Sequence, residues 1–201
     1  MIDNSELKIG AMLLAAGGSS RLGQPKQLLR FHGTTLLRHT AEMLTKTSCW
    51  SIVVVLGADF EAANAELAGL EIHTAINENW QTGMSSSIKC GLTSLINTEP
   101  ELDGVVIALC DQPFVTAEHI DRLVRGFTLH RSPITAAKYD QTAGVPALFA
   151  RELFGELRQL SGDKGARLLI RNHPDQVHSV TIEEAAFDID TPGDVLRLTS
   201  P

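Results

Sequence analysis

Short aliphatic runs, each bounded by Gly, Asn or Asp, recur along the chain with amphipathic segments between them, and this alternation constrains the fold of the 201 residues most strongly. Lys8 to Ala15, Ile52 to Leu56, Ile72 to Ile76, Gly104 to Leu109 and Ile134 to Lys138 read as buried strands. Helical spacing fills the gaps. Thr35 to Thr47 gathers Leu36, Leu37, Thr40, Met43 and Leu44 near one face, with Thr34 or Thr35 as cap. Phe60 to Leu67 and Ser85 to Leu95 follow, and Thr116 to Leu129 carries Ile120, Leu123, Val124 and Phe127 behind an S/T-x-x-[DE]-like opening. Strand, helix, strand, helix is the order of βαβ units with right-handed crossovers. The prediction is an α/β fold of three layers, α/β/α, around a doubly wound, mostly parallel sheet.

After Lys138 the rhythm changes. Gly144-Val145-Pro146 interrupts, and Ala147 to Phe149 reads as a strand with irregular pairing. A helix from Arg151 to Leu160, the loop Ser161 to Gly165 and a second helix to about Arg171 follow. Ser179 to Ile182 and Ala186 to Ile189 read as short strands, and Pro192 opens the last helix. With no repeat or low-complexity linker, 1–201 is read as one domain.

Lys+Arg 17 against Asp+Glu 24 leaves a net charge of −7. An acidic chain without a basic run argues against holding a nucleic-acid backbone, so anions must be met by a few local cations or a metal. Neither apolar run is long enough to span a bilayer, the N-terminus shows no signal-peptide pattern, and Cys49, Cys90 and Cys110 show no disulfide or zinc spacing. The expected compartment is the cytoplasm, without membrane or nucleic-acid partners.

Six stretches carry candidate chemistry. Leu14-Ala15-Ala16-Gly17-Gly18 follows a buried strand and leads to Arg21 and Lys26. Its glycines allow close backbone approach to an anion, and the two cations can meet phosphate, although an ordinary βα turn would read the same way. Cys110-Asp111-Gln112-Pro113 follows the Gly104–Leu109 strand, where an open parallel sheet presents its ligand crevice. Asp111 either offers Mg²⁺ a hard oxygen there or opens a turn. Asp188 and Asp190 lie two apart in an extended segment, so both carboxylates share a face and call for a cation, while Asp190 or Thr191 also suits a helix cap. Asn79 to Ile88 runs a polar loop into three serines, fit for a base edge, a phosphate or a plain cap. Gly144-Val145-Pro146 and Gly162-Asp163-Lys164-Gly165-Ala166-Arg167 are loops with special backbone needs. No histidine, nor Trp50 or Tyr139, receives a role.

Taken in order, these motifs resemble the MobA/MocA-like NTP transferase family over nearly the whole chain, and within it the molybdenum cofactor cytidylyltransferase branch. The resemblance implies a Rossmann-like nucleotidyltransferase fold, Mg²⁺ dependence, and transfer of a nucleoside monophosphate from an NTP with release of pyrophosphate. Leu14, Ala15, Ala16 and Gly17 would meet the nucleotide, with Ser87 at the base. Arg21 and Lys26 would meet the triphosphate, and Asp111 the metal, with Asp188 or Asp190 beside it. Gly144, Pro146, Gly165 and Arg167 fall in acceptor-side motifs. Ala15-Ala16-Gly17 replaces the Ala-Gly-Gly typical of guanylyl-transferring relatives and favours CTP. The implied acceptor is a phosphorylated pterin, passed on to a recipient molybdoenzyme. Another phosphate acceptor (a sugar or polyol phosphate) and a non-catalytic cofactor carrier are the alternatives; a nicotinamide dehydrogenase lacks its spaced glycines.

Overall fold

In the computed structural model, which describes residues 7–19 and 22–199, the elements run β1 (Ile9–Ala15), β2 (Arg30–Phe31), β3 (Thr34–Thr35), α1 (Leu36–Leu44), β4 (Ser51–Leu56), α2 (Phe60–Glu66), β5 (His73–Ile76), α3 (Met84–Thr98), β6 (Gly104–Leu109), α4 (Ala117–His130), β7 (Ile134–Tyr139), β8 (Thr142–Ala150), α5 (Phe154–Gln159), α6 (Arg167–Asn172), β9 (Val177–Thr181) and α7 (Pro192–Thr199). Seven strands form one sheet in the order β5-β4-β1-β6-β8-β7-β9, and β2 pairs with β3 in a small hairpin. All neighbours in the large sheet are parallel except β8, which runs against both β6 and β7.

Alternation along β1 builds two cores. Ile9, Ala11, Leu13 and Ala15 join Leu36 and Leu37 of α1 and Ile120, Leu123 and Phe127 of α4 on one face. Met12 and Leu14 join Ile88, Leu92 and Leu95 of α3 and Leu157 of α5 on the other. The three layers follow, because a strand buried on both faces needs helices over each. Thr35 caps α1 as expected, its hydroxyl accepting the Arg38 N–H at 3.2 Å. The α4 box differs: His119 occupies the acidic position, and its Nδ1 accepts the Thr116 N–H at 3.2 Å.

β1 sits between β4 and β6, with Leu14 beside Val55 on one side and Leu109 on the other. The chain winds outward from β1 through β4 to β5 and then returns to lay β6 on β1's opposite edge. The loops leaving β1 and β6 therefore diverge at the carboxyl ends of the strands, and a crevice opens between them.

Two expectations for the C-terminal third are corrected. Gly144-Val145-Pro146 does not interrupt a strand but lies inside β8, which returns from β7 through Asp140 and Gln141, both at positive φ (46° and 60°). Between the pairs Ala136–Ala147 and Ala137–Gly144 the register shifts, so Val145 and Pro146, joined by a cis peptide bond, have no partner on β7. Ala186 to Ile189 is not a strand. Glu183–Ala186 is a 3₁₀ turn, and the Ile189 N–H bonds the Asp111 carbonyl at 3.1 Å instead of a ladder. The apolar alternation there reflects the burial of Ile189 in the β1–α1 core, which demands an inward side chain but no sheet.

Candidate active site

The crevice holds two adjoining cavities. The first, about 450 Å³, is lined by Leu14, Ala15, Ala16 and Gly17 behind β1, together with Lys26, Ser87 and Asp111. Four of the wall positions are the end of a buried strand and its first turn. Ser87 is buried at the start of α3, where the amide of buried Asn77 donates to its hydroxyl at 3.0 Å and to that of Ser86 at 2.8 Å. Trp80 closes the wall over Gly18, whose missing side chain would fall 2.8 Å from the indole. The lack of a side chain at Gly18 is what lets the ring lie there. The Ser19 hydroxyl accepts the Lys26 N–H at 2.9 Å, which ties the loop back on itself. Arg21 lies outside the described residues.

The second cavity, about 440 Å³, shares Lys26, Asp111, Met84, Leu109 and Asp163 with the first and adds Gly165, Arg167, Asp188 and Asp190. Its wall at the β7–β8 bulge is Val145; Gly144 and Pro146 are buried and do not line it. The two loops that divide the cavities lean on each other. Gly83, at φ +107°, packs so closely on the Gly162 backbone that no side chain fits between them, and the Ser85 N–H bonds the Gly162 carbonyl at 3.2 Å.

At the junction, Lys26 donates to Asp111 and, at 3.2 Å, to Asp190, residues 85 and 164 positions away. Burial works against its charge, but the two carboxylates outweigh that, and its pKa lies above the ordinary 10.5. Asp188 is also raised, above its usual 3.8, first by desolvation and then by Asp111 and Asp190, with Arg167 and Lys26 opposing. Ionised Asp188 therefore costs the folded state, a penalty that grows as pH rises from 3.8 to the folded value and is constant above it. Asp188→Asn is expected to raise Tm at pH 7 by no more than about a few degrees, with the gain fading as pH falls from the folded value to 3.8. Thermal melts at pH 7 and pH 3 check this; an equal gain at both would place its cause elsewhere. Burial raises the Cys110 thiol to about 12, so no thiolate stands beside Asp111.

Among the described residues, no three Asp, Glu, His or Cys side chains form a ready-made metal cage, so Asp111, Asp188 and Asp190 do not enclose a cation by themselves. The ammonium of Lys26 supplies the positive charge that the paired carboxylates were expected to need. The donor set still fits Mg²⁺. Oδ1 of Asp111 is buried without a hydrogen-bond partner, and Mg²⁺ typically takes one or two carboxylates and completes its shell with substrate phosphates and water.

Three residues at the site had no role in the sequence. Buried Gln112 donates to the carbonyls of Val145 (3.1 Å) and Ala185 (2.8 Å), fastening the Asp111 loop to the bulge. Buried Asn77 holds Ser87. Tyr139 donates from its buried hydroxyl to the Val145 carbonyl at 3.0 Å and accepts from Arg167 at 2.6 Å. The one legible signal was for Gln112, which adjoins Asp111; the partners of the other two are set by the sheet.

The family model for the MobA-like NTP transferase domain matches residues 11–177, which contain both cavities except for the Asp188–Asp190 edge. The chain belongs to this family. It is 32% identical to nicotine blue oxidoreductase of Paenarthrobacter nicotinovorans over 203 aligned residues, covering 94% of this chain and 96% of that one. Among solved structures, the Rv0371c homolog from Mycobacterium sp. strain JC1 superimposes with a TM-score of 0.83 at 32% identity and 94% coverage of each chain. Rv0371c of Mycobacterium tuberculosis H37Rv in complex with manganese gives 0.78 at 28% identity, covering 95% of this chain and 97% of that one. In this MobA-like protein the family match thus spans the strand-tip loops from which the crevice is built, not the sheet alone.

Proposed function

We propose that this MobA-like NTP transferase moves CMP from CTP to the terminal phosphate of the molybdopterin cofactor, releasing pyrophosphate, with Mg²⁺ as its metal. The observation that carries this reading is that the two cavities meet at Lys26 and Asp111, a shared cation and a shared carboxylate. One cavity is walled by the end of β1 and its first turn, suited to a nucleotide, and the other is edged by Arg167, suited to an anionic acceptor. Ala15-Ala16-Gly17 supports CTP over GTP. The Rv0371c structure in complex with manganese supports the use of a divalent ion.

The chemistry asked of the protein is modest. A phosphate monoester has a second pKa of about 6 and is largely dianionic at neutral pH, so the nucleophile arrives deprotonated and no general base is needed. The barrier lies in bringing one anion onto the α-phosphorus of another, which is a matter of positioning and charge. Lys26 remains charged throughout the neutral range. Two of its N–H groups are held by Asp111 and Asp190, and the third faces only the Ile189 carbonyl at 3.5 Å, so one donor is available to a phosphate oxygen. Mg²⁺, when bound by Asp111 with Asp188 or Asp190, would add Lewis-acid neutralisation of the α-phosphate. Arg21 is assigned to the departing pyrophosphate. The product would pass to a recipient molybdoenzyme, and the setting proposed is cytoplasmic.

The test is pyrophosphate release with CTP, GTP, ATP and UTP against molybdopterin, a sugar 1-phosphate and a polyol phosphate. Turnover with CTP and molybdopterin exceeding the other pairs by at least about tenfold, roughly 1.4 kcal/mol, is expected. Preference for a sugar or polyol phosphate would move the acceptor, and tight binding without pyrophosphate release would make the protein a carrier. The Paenarthrobacter relative is named as an oxidoreductase; the turn after β1 of this chain has no G-x-G-x-x-G spacing of the kind a Rossmann dinucleotide loop uses.

A further inference from the structure

We propose that Tyr139 is the positioning residue that presents Arg167 to the phosphate of the acceptor, an inference that rests on reading the second cavity as the acceptor side. A guanidinium fixed by a carboxylate is oriented and neutralised together. Arg167 is instead held at 2.6 Å by a neutral hydroxyl, with its Cζ 5.8 Å from the centre of the same ring. Among the described residues no carboxylate forms an ion pair with it, Asp188 on the same cavity wall acting only at longer range, and its remaining N–H groups are left for a ligand.

The surroundings are shaped for that hydroxyl. Tyr139 ends β7 with its ring buried, and its own proton goes to the Val145 carbonyl at 3.0 Å, which turns its lone pairs toward Arg167. Gly144 makes the space: a side chain there would run into the Tyr139 oxygen and come within 3.2 Å of Arg167 Nε. Gly144 thus serves the acceptor side without lining it. The bulge that puts Val145 on the cavity wall also sets the carbonyl that anchors Tyr139, so one irregularity in the sheet places both.

Tyr139→Phe isolates the role. It keeps the ring beside Arg167, and the Val145 carbonyl retains a second donor in Gln112 at 3.1 Å, so the fold should persist. Two readouts are used: KM for molybdopterin and for CTP in pyrophosphate release, and the Arg167 side-chain ¹⁵N–¹H resonance, identified by its loss in Arg167→Ala and titrated with inorganic phosphate. Expected for Tyr139→Phe is an acceptor KM and a phosphate Kd each about tenfold higher, the scale of one hydrogen bond to a charged group, with the KM for CTP unchanged and faster guanidinium rotation. If Arg167→Ala weakens acceptor and phosphate while Tyr139→Phe does not, the inference is overturned and the acceptor reading stands. If Arg167→Ala changes neither, the acceptor reading falls and takes the inference with it. A Tyr139→Phe variant that loses Tm, kcat and affinity for both substrates together would show only a packing role and overturn the inference as well.

Discussion

Lys26→Ala is expected to lower kcat for pyrophosphate release by about 10² or more, the scale of removing one donor from a developing negative charge. The ammonium lies where both cavities meet and pairs with both Asp111 and Asp190. The variant should fold, but not without cost. The Lys26 and Asp111 side chains are only 21% and 15% exposed, so truncation leaves a largely desolvated carboxylate without its cation. Allowing for that residual exposure, the loss is on the order of 1–3 kcal/mol, which lowers Tm by several degrees. The sign of the pH dependence separates this contribution from others. Because the folded pKa of Lys26 lies above 10.5, its stabilisation is complete below 10.5 and disappears as pH rises through the folded value. The wild type should therefore lose stability on that alkaline limb, and Lys26→Ala should lack this component. Unaltered turnover in the variant would remove Lys26 from the mechanism, whatever the melts show.

Asp111→Asn should bring metal-dependent turnover to background, a drop of at least about 10³, since it removes the charge that both a metal and Lys26 rely on. Asn keeps the shape and one acceptor for the ammonium, which retains Asp190 as its other partner, so the fold should be nearly undisturbed. The consequence falls on Oδ1. In the wild type that oxygen is buried and unpartnered, a costly arrangement that a bound cation would relieve. Titrating Mg²⁺ and Mn²⁺ against pyrophosphate release is the measurement. The wild type should saturate, and the Asn variant should show no saturable response. A fully active Asn variant would refute the metal role.

Much of the layout was legible because it is written in local patterns. The apolar runs at Lys8–Ala15, Ile52–Leu56 and Gly104–Leu109 match β1, β4 and β6 to within a residue or so, and their alternation with amphipathic segments required helices on both faces. Position along the sheet was legible too: in a doubly wound fold, residues just past strand carboxyl ends face the crevice, which singles out Gly17 and Asp111. What failed was local pattern without pairing. Phe187 and Ile189 alternate like a strand but pack into the β1–α1 core without joining the sheet, and Val145-Pro146 looks like a break yet is a bulge within β8.

The amino-acid sequence by itself determined the layers, most of the order of strands and helices, and which loops carry the glycine-rich and carboxylate residues of the crevice, since periodicity and Gly, Pro and Asp placement act over a few neighbours. Only the tertiary structure decided who meets whom: Lys26 with Asp111 and Asp190, Gln112 with Val145 and Ala185, Tyr139 with Arg167. Those pairs are 28 to 164 positions apart along the chain, and their contact depends on strand order, on the reversal of β8 and on a two-residue slip of register. Local periodicity says which way a side chain points, while the neighbour it reaches is set by hydrogen-bonded pairing across the sheet.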